Sequence, residues 1–335
     1  MAYDYTNPLF QSDYFDELIA AAKPTADPVG DSALKALAAL VKTTPAPAAA
    51  LVKTEIGKIS AGKKTSYWQA LAYLYETWPG LDEDVVGNVH FRGFKWRANG
   101  QSELVRAKDA VKLAQNTVRK VNELLALLTT KNTTAANYVK AKEFYVRWFD
   151  KDLAHRRLAF VISVFAALQK GLTTSNLEII CEGDDEQPLG PIMEGCGLTL
   201  ADADVFGFVV KAEDRSRFYL CKLAFASMSI NLAQGASQYI LPAAGMTYAA
   251  TRKATQDAIN SSVATMVHEL THVRTNGNTD DVGGNPDAYD RNLCLQKAIN
   301  TPDDAIRNAE NFCLFADEVL HWMRRNAPSV AAVRI

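Results

Sequence analysis

The chain has 335 residues, of which 48% are hydrophobic and 22% charged, and its formal net charge is −2. This length predicts two domains or one large domain with an extension, and the composition fits a globular protein with a substantial core. The near-neutral charge provides no basic field for nucleic acid, and no apolar run is long enough to span a membrane.

The N-terminus carries acids and aromatics where a secretory signal peptide has a basic segment and then an apolar one. No classical signal peptide is therefore predicted. Three alternatives stay open: a cytosolic protein, a protein exported without a cleaved signal, or a chain trimmed of its signal. The five cysteines are an odd and sparse set, which does not indicate a disulfide framework, although one bridge, for example Cys181 to Cys221, fits a protein that works outside the cytosol.

The first part of the chain, residues 1–97, is predicted to be a largely helical N-terminal region. Alanine, proline and lysine are frequent up to about residue 60, and TTPAPAAA (43–50) indicates a linker or a break between short helices. Helical register from Ser66 to Trp78 and alternation from Val85 to Trp96 predict a helix and then a hairpin. This region could serve as a pro-region, a docking or delivery region, or a helical flank.

Residues 98–335 have the pattern of a second, mostly helical domain. An apolar residue recurs every seven positions from Leu104 to Leu125, which predicts one long helix that begins near Ser102. Two further helices are predicted, followed by three strands, and the predicted fold class is α+β, mostly helical, with a small antiparallel sheet. The predicted helices are 135–149 and 153–172, and the predicted strands are 177–183, 204–212 and 217–225.

The sequence HELTH places His268 and His272 four residues apart on a predicted helix whose apolar face includes Ile259 and Leu270. Two imidazoles at this spacing point the same way and can bind one metal ion. Glu269 fits the general base that acts on metal-bound water in the HExxH zinc peptidase motif. The alternative is a surface helix with two structural histidines, but two of the five histidines lie in the motif and an acid-rich loop follows it.

A catalytic zinc requires a third protein ligand and an open position. No HxxGxxH follows the motif, which argues against a metzincin-like site. The residues alone leave the third ligand open among several downstream acids and one histidine. These candidates are Asp280, Asp281, Asp287, Asp290, Glu310, Glu318 and His321.

HELTH, Thr279-Asp280-Asp281 and Tyr289 together resemble the aspzincin metallopeptidases, which comprise deuterolysins and peptidyl-Lys metalloendopeptidases. The similarity continues without a gap to Ala316, is fainter upstream, and covers about residues 100–325. It implies a zincin-like catalytic domain over residues 98–335, with zinc on His268, His272 and Asp281. It also implies that Glu269 is the general base and that Tyr289 donates a hydrogen bond to the oxyanion.

Two features depart from the family pattern. Seven residues, VGGNPDA, separate Asp281 from Tyr289, where the family usually has two, so Asp287 is the second choice as ligand. The peptidyl-Lys enzymes place two acids one helical turn apart to receive a substrate lysine, whereas here Glu310 takes the first position and Cys313 the second. The resemblance therefore implies that Glu310 binds substrate and favours a cationic P1′ group without strict lysine preference. The alternative is that Glu310 is a solvated helix acid.

The sequence thus predicts a zinc-dependent endopeptidase that acts on a protein or peptide by Glu-assisted attack of zinc-bound water. The N-terminal region and the missing signal peptide suit a bacterial effector or toxin, synthesised in the cytoplasm and secreted by a non-classical or contact-dependent route. A secretion carrier or a cognate inhibitor protein would then be a partner. Two alternatives stay open: a peptidoglycan stem-peptide hydrolase toxin, and a non-catalytic, zinc-stabilised binding protein. Glu269 argues against the last, because a structural zinc has four protein ligands and needs no base.

Overall fold

The computed structural model describes residues 12–21, 28–41, 49–59, 67–78, 80–97, 100–131, 133–173, 177–182, 190–195, 207–209, 217–221, 262–284 and 287–326. Helices precede, connect and follow the strands of one sheet. The helices are α1 Ser12–Ala21, α2 Pro28–Val41, α3 Ala49–Lys58, α4 Trp68–Thr77, α5 Gly100–Thr130, α6 Tyr138–Trp148, α7 His155–Thr173, α8 Pro191–Gly195, α9 Ser262–His272, α10 Arg291–Asn300, α11 Pro302–Ala305 and α12 Ala309–Asn326. The strands are β1 Glu83–Val86, β2 Val89–Arg92, β3 Leu177–Glu182, β4 Gly207–Phe208 and β5 Arg217–Cys221.

The five described strands form a mixed sheet in the order β1-β2-β3-β5-β4. The pairs β2-β3 and β3-β5 are parallel, whereas β1-β2 and β4-β5 are antiparallel. The predicted small antiparallel sheet is therefore wrong in its central strand directions. The physical reason is the connection: α5, α6 and α7 lie between β2 and β3, and a crossover of this length returns the chain in the same direction. Apolar alternation along a strand carries no information about that direction.

The strand β3 is buried along its whole length, and so is β5, because helices cover both faces of the sheet. In the register of these parallel strands, Cys181 lies beside Leu220, and Glu182 lies beside Cys221. Successive side chains point to opposite faces, so Cys181 and Cys221 project from opposite sides of the sheet. The Cys181 to Cys221 bridge is therefore excluded, and both thiols are free and buried. Cys196 lies outside the described residues.

The two faces of the sheet belong to different cores. On the first, the buried stripe of α5 packs with α7, α9 and α12 against residues such as Ile179. We call it the catalytic face because α9 contains HELTH, the sequence predicted to hold the catalytic residues. On the second, the N-terminal face, α1 to α4 and α8 cover Ile180 and Tyr219. The long helix predicted from the seven-residue repeat is confirmed, since its apolar positions from Leu104 to Leu125 are buried on the catalytic face.

The sheet joins strands from both sides of residue 97. The predicted hairpin is confirmed as β1 and β2, and β2 pairs with β3, so residues 83–92 are part of the same sheet as the later strands. The division into residues 1–97 and 98–335 stays a prediction. Within the described ranges, no helix combines the length and apolar character that a membrane span requires.

Candidate metal centre

The HELTH sequence lies at the end of α9, as its spacing predicts. Val263, Met266 and Val267 on this helix are buried in the core of the catalytic face, which fixes the rotation of the helix about its axis. Ile259, assigned to the same apolar face, lies outside the described residues. The fixed rotation brings the Nε2 atoms of His268 and His272 to within 3.2 Å of each other.

The loop after α9 turns back onto the helix because Thr279 is bound to it at three atoms. The Thr279 N–H donates to the carbonyl oxygen of Thr271 at 3.1 Å, and the two hydroxyls are 2.8 Å apart. The Thr279 carbonyl oxygen accepts a hydrogen bond from Nδ1 of His272 at 2.9 Å. These contacts position Asp281, two residues later, beside the histidines. Its Oδ1 lies 3.2 Å from His268 Nε2 and 3.5 Å from His272 Nε2.

These three atoms have the spacing of metal ligands. A tetrahedral zinc with bonds of about 2.0–2.1 Å separates its ligand atoms by about 3.3–3.4 Å. The separations here are 3.2, 3.2 and 3.5 Å. Moreover, Oδ1 of Asp281 is buried and receives no hydrogen bond, which is costly for a carboxylate oxygen unless a cation binds it. The residues therefore fit a zinc ion.

The far edges of both imidazoles face hydrogen-bond acceptors. Nδ1 of His268 lies 2.9 Å from Oε2 of Glu310, and Nδ1 of His272 faces the Thr279 carbonyl. A ring that donates from Nδ1 presents the Nε2 lone pair to the metal, which is the usual arrangement of zinc-binding histidines. The surrounding charges favour a cation at this ring: burial alone would lower the pKa of His268, but the carboxylates of Asp281 and Glu310 raise it to about 10. The cluster therefore stabilises positive charge.

Glu310 has a different environment from the one expected. Its side chain is fully buried on α12, against His268 and near the buried thiol of Cys313. A carboxylate enclosed in this way is neither a solvated helix acid nor exposed to a substrate side chain. The substrate-binding role of Glu310 stays a prediction. Its enclosed position was not expected, because the sequence places Glu310 on a helix without specifying which helix that face packs against.

The other candidate ligands lie outside the cluster. Asp290 caps α10 by accepting two backbone N–H groups, and Glu318 accepts a hydrogen bond from a buried indole. Asp280 and Asp287 are exposed. His321 lies 3.6 Å from an acid one turn earlier on α12.

Glu269 lies between the two histidines in sequence and is half-buried. Burial raises the pKa of its carboxyl to about 7, with Asp281 adding to the rise, while His268 and a hydrogen bond from the backbone of Val209 oppose it. Val209 directly follows β4, so an edge of the sheet adjoins this carboxyl. A carboxyl with a pKa near neutrality is suited to accepting and releasing a proton.

Tyr289 contacts both a histidine and the carboxylate. Its ring stacks on His268 with 5.3 Å between ring centroids, and its hydroxyl donates to Oδ2 of Asp281 at 3.0 Å. Burial, followed by the charge of Asp281, raises the pKa of this phenol far above its usual value, so the hydroxyl stays a donor. The structure therefore brings all six expected site residues into direct contact or sequence adjacency at one cluster, with Glu310 on the Nδ1 side of His268.

Two contacts at this site could not be found from the sequence. The acceptor for His272 is the backbone carbonyl of Thr279, and a backbone atom leaves no signal in residue type. The Glu310 contact depends on how α12 packs against α9, which helical periodicity does not encode.

Comparison with known proteins agrees with the resemblance noted from the motifs. Residues 234–317 match the aspzincin M35 family, described as lysine-specific metallo-endopeptidase, and the structure describes 262–284 and 287–317 of this segment. The cofactor of this peptidase family is zinc. No curated protein matches the chain. A solved zinc peptidase from Grifola frondosa is 22% identical, covers 65% of this chain and 95% of its own, and has a TM-score of 0.40.

Proposed function

We propose that this protein is a zinc-dependent endopeptidase in which His268, His272 and Asp281 hold the ion. The observation that carries the proposal is the convergence of two imidazole nitrogens and one unpaired carboxylate oxygen at 3.2–3.5 Å, together with the match of this segment to the aspzincin family. When bound, zinc would lower the pKa of a water molecule and polarise the carbonyl of the scissile bond.

Glu269 carries the proton in this proposal. Its carboxylate takes a proton from the attacking water and later passes it to the amine that leaves when the peptide bond breaks. The support is its position: it is adjacent to His268 on α9, half-buried, and flanked by the backbone of Val209.

Tyr289 supplies a neutral donor. Its hydroxyl donates its single proton to Oδ2 of Asp281 at 3.0 Å, which holds that carboxylate in place. In this proposal the same O–H turns from Asp281 towards the carbonyl oxygen of the substrate as that oxygen gains negative charge.

A peptide substrate is supported by the edge strand beside Glu269. β4 is the last strand of the described sheet, and Val209 at its end contacts the base. An extended peptide can add to such an edge through its backbone, which would place a peptide bond near the base. A lysine preference through Glu310 is not part of the proposal, because that carboxylate is enclosed against His268. Delivery as an effector, and peptidoglycan stem peptides as the target, stay predictions.

The test is the Glu269→Gln variant, with zinc content and digestion of a broad peptide library as readouts. The variant should keep zinc and fold but lose about 10²–10⁴-fold in cleavage rate. Glu143→Gln, at an exposed ion pair of α6, is the matched control. Full cleavage by Glu269→Gln would refute the mechanism, and zinc-loaded wild-type protein that cleaves no peptide would favour the non-catalytic binding protein.

A further inference from the structure

We infer that Asn308 is a positioning residue for the metal centre, whose side-chain amide holds both ends of the segment between Asp281 and Tyr289. The inference rests on the proposed function, since it assigns a role behind a proposed zinc ligand. Asn308 is fully buried immediately before α12, and it contacts no proposed ligand atom itself.

The segment between these two site residues requires such a support. Seven residues separate Asp281 from Tyr289, and Gly283 and Gly284 both have positive φ angles, of 104° and 71°. Glycine loses more conformational entropy on ordering than any other residue. Holding Asp281 and Tyr289 in one geometry therefore needs contacts that fix the ends of this segment.

Asn308 provides both contacts with one amide. Its Oδ1 accepts a hydrogen bond from the N–H of Val282 at 3.0 Å, directly after Asp281. Its Nδ2 donates to the carbonyl oxygen of Ala288 at 3.2 Å, directly before Tyr289. A single buried side chain therefore spans the segment and fixes the residues next to the ligand and next to the tyrosine.

The amide is itself held against rotation. Nδ2 of Asn308 also donates to Oδ1 of Asn311 at 2.8 Å, and Nδ2 of Asn311 donates to the carbonyl oxygen of Trp148 at 2.6 Å. The backbone around Asn308 is paired with the residue before the ligand: the Asp280 N–H donates to Arg307, and Ala309 donates to the Asp280 carbonyl. The start of α12 therefore fixes the position of the Asp281 carboxylate, and the Asn311 side chain anchors this arrangement to the end of α6.

The Asn308→Asp variant separates the two contacts. It keeps an acceptor for the Val282 N–H, but its carboxyl has at most one hydrogen where the amide has two, so it cannot donate to both Ala288 and Asn311. Asn308→Ser is a shorter second variant that removes both contacts. Asn122→Asp is the matched control, because the Asn122 amide likewise joins a backbone carbonyl and a side-chain amide oxygen, between α5 and α7.

Two measurements on the full chain test the inference. Zinc affinity, measured by competition with a chromophoric chelator, should fall about 10–100-fold in Asn308→Asp and Asn308→Ser, as for other outer contacts of metal sites. Hydrogen exchange of the Val282 amide should become at least about tenfold faster in both, with or without zinc, because that amide loses a buried partner or its support. Asn122→Asp should match the wild-type protein in both measurements.

Zinc affinities of the Asn308 variants within about threefold of Asn122→Asp would overturn the inference while leaving the proposed function intact. If the wild-type protein bound no zinc, the proposed function would fail. The exchange measurement would then decide the inference alone: faster exchange of Val282 in the variants supports it, and unchanged exchange overturns it. A Val282 amide that is unprotected in the wild-type protein would also overturn it, even if neither variant folds.

Discussion

The two faces of the sheet each contain a buried cluster of ionisable side chains, and the clusters differ in what neutralises them. On the N-terminal face, Glu76 of α4 and Glu182 of β3 lie with Arg97, whose guanidinium donates to Glu76 at 3.0 Å. On the catalytic face, Asp281 faces two histidines, and its Oδ1 receives no hydrogen bond. In the first cluster, the guanidinium of Arg97 is the cation that neutralises the acids. The second cluster has the ligand atoms for a metal cation, which would come from solution.

The first cluster is also closed by hydrogen-bond donors. Arg97 donates to the carbonyl oxygen of Cys181, and Oε1 of Glu182 accepts two backbone N–H groups at the start of α8. Burial raises the pKa of both Glu76 and Glu182, and for Glu76 the neighbouring Glu182 adds to the rise. Buried acids alone therefore do not indicate a binding site. The informative feature is a buried acid oxygen, Oδ1 of Asp281, that receives no hydrogen bond and lies beside two imidazole nitrogens.

The largest expected effect comes from removing the N-terminal face altogether. A chain beginning at residue 98 lacks β1, β2 and the helices that cover Ile180 and Tyr219, so we expect it to be insoluble or unfolded by circular dichroism. The milder Leu37→Ala, at a fully buried site, should cost about 2–5 kcal/mol in urea unfolding. A folded, more active 98–335 chain would instead identify residues 1–97 as an inhibitory pro-region.

The next effect tests whether the catalytic-face cluster depends on a metal. The loss of zinc affinity in His272→Ala should be far larger than the about 10–100-fold loss that is typical when a contact behind a ligand is removed. The variant should also lose peptide cleavage. Zinc at about 1,000 times its dissociation constant should stabilise the wild-type protein by about 4 kcal/mol, and this gain should vanish in the variant. His155→Ala, at an exposed histidine, is the control. An equal zinc-dependent rise in Tm in both variants would contradict the ligand assignment.

Arg97→Met should remove the difference between the clusters, because it takes the guanidinium cation away from Glu76 and Glu182. The two glutamates would then be buried without it, and the free energy of unfolding should fall by about 3–5 kcal/mol. Arg119→Met, at an exposed ion pair of α5, should change it by less than about 1 kcal/mol. The measurement is urea unfolding at pH 7, and equal effects of the two substitutions would show that Arg97 has no special role.

The smallest effect is a pH dependence of the same cluster. Because folding raises the pKa of Glu182, the native protein binds more protons than the unfolded chain above the ordinary glutamate pKa of about 4.3. Stability should therefore fall as the pH rises from there through the raised pKa, by at most about 1.4 kcal/mol per pH unit for each proton. Glu182→Gln, whose amide can donate to Glu76, should flatten this slope, whereas the exposed Glu123→Gln should not. Parallel pH profiles of Glu182→Gln and the wild-type protein would rule out a raised pKa of Glu182 in the folded state.

Sequence patterns predicted the parts of this molecule that depend on one element at a time. The seven-residue stripe of α5 and the register of HELTH each report which side of a helix faces the core, and both agree with the structure. The relative direction of the strands could not be predicted from these patterns, since it depends on the three-helix crossover between β2 and β3. The contact between Glu310 and His268 depends on the packing of α12 on α9, and the two ends held by Asn308 depend on the fold of the loop.

The parallel pairing of β2 with β3 has a consequence for how the chain folds. Val89 pairs with Leu177, which is about 90 residues later in the chain. During synthesis, the hairpin β1-β2 therefore cannot pair with β3 until those residues have left the ribosome. Contacts of such long range make folding slow, because the loop must close before they contribute. Until β3 and β5 arrive, α1 to α4 lack the strands that complete their core, and their apolar side chains are open to aggregation or to a chaperone.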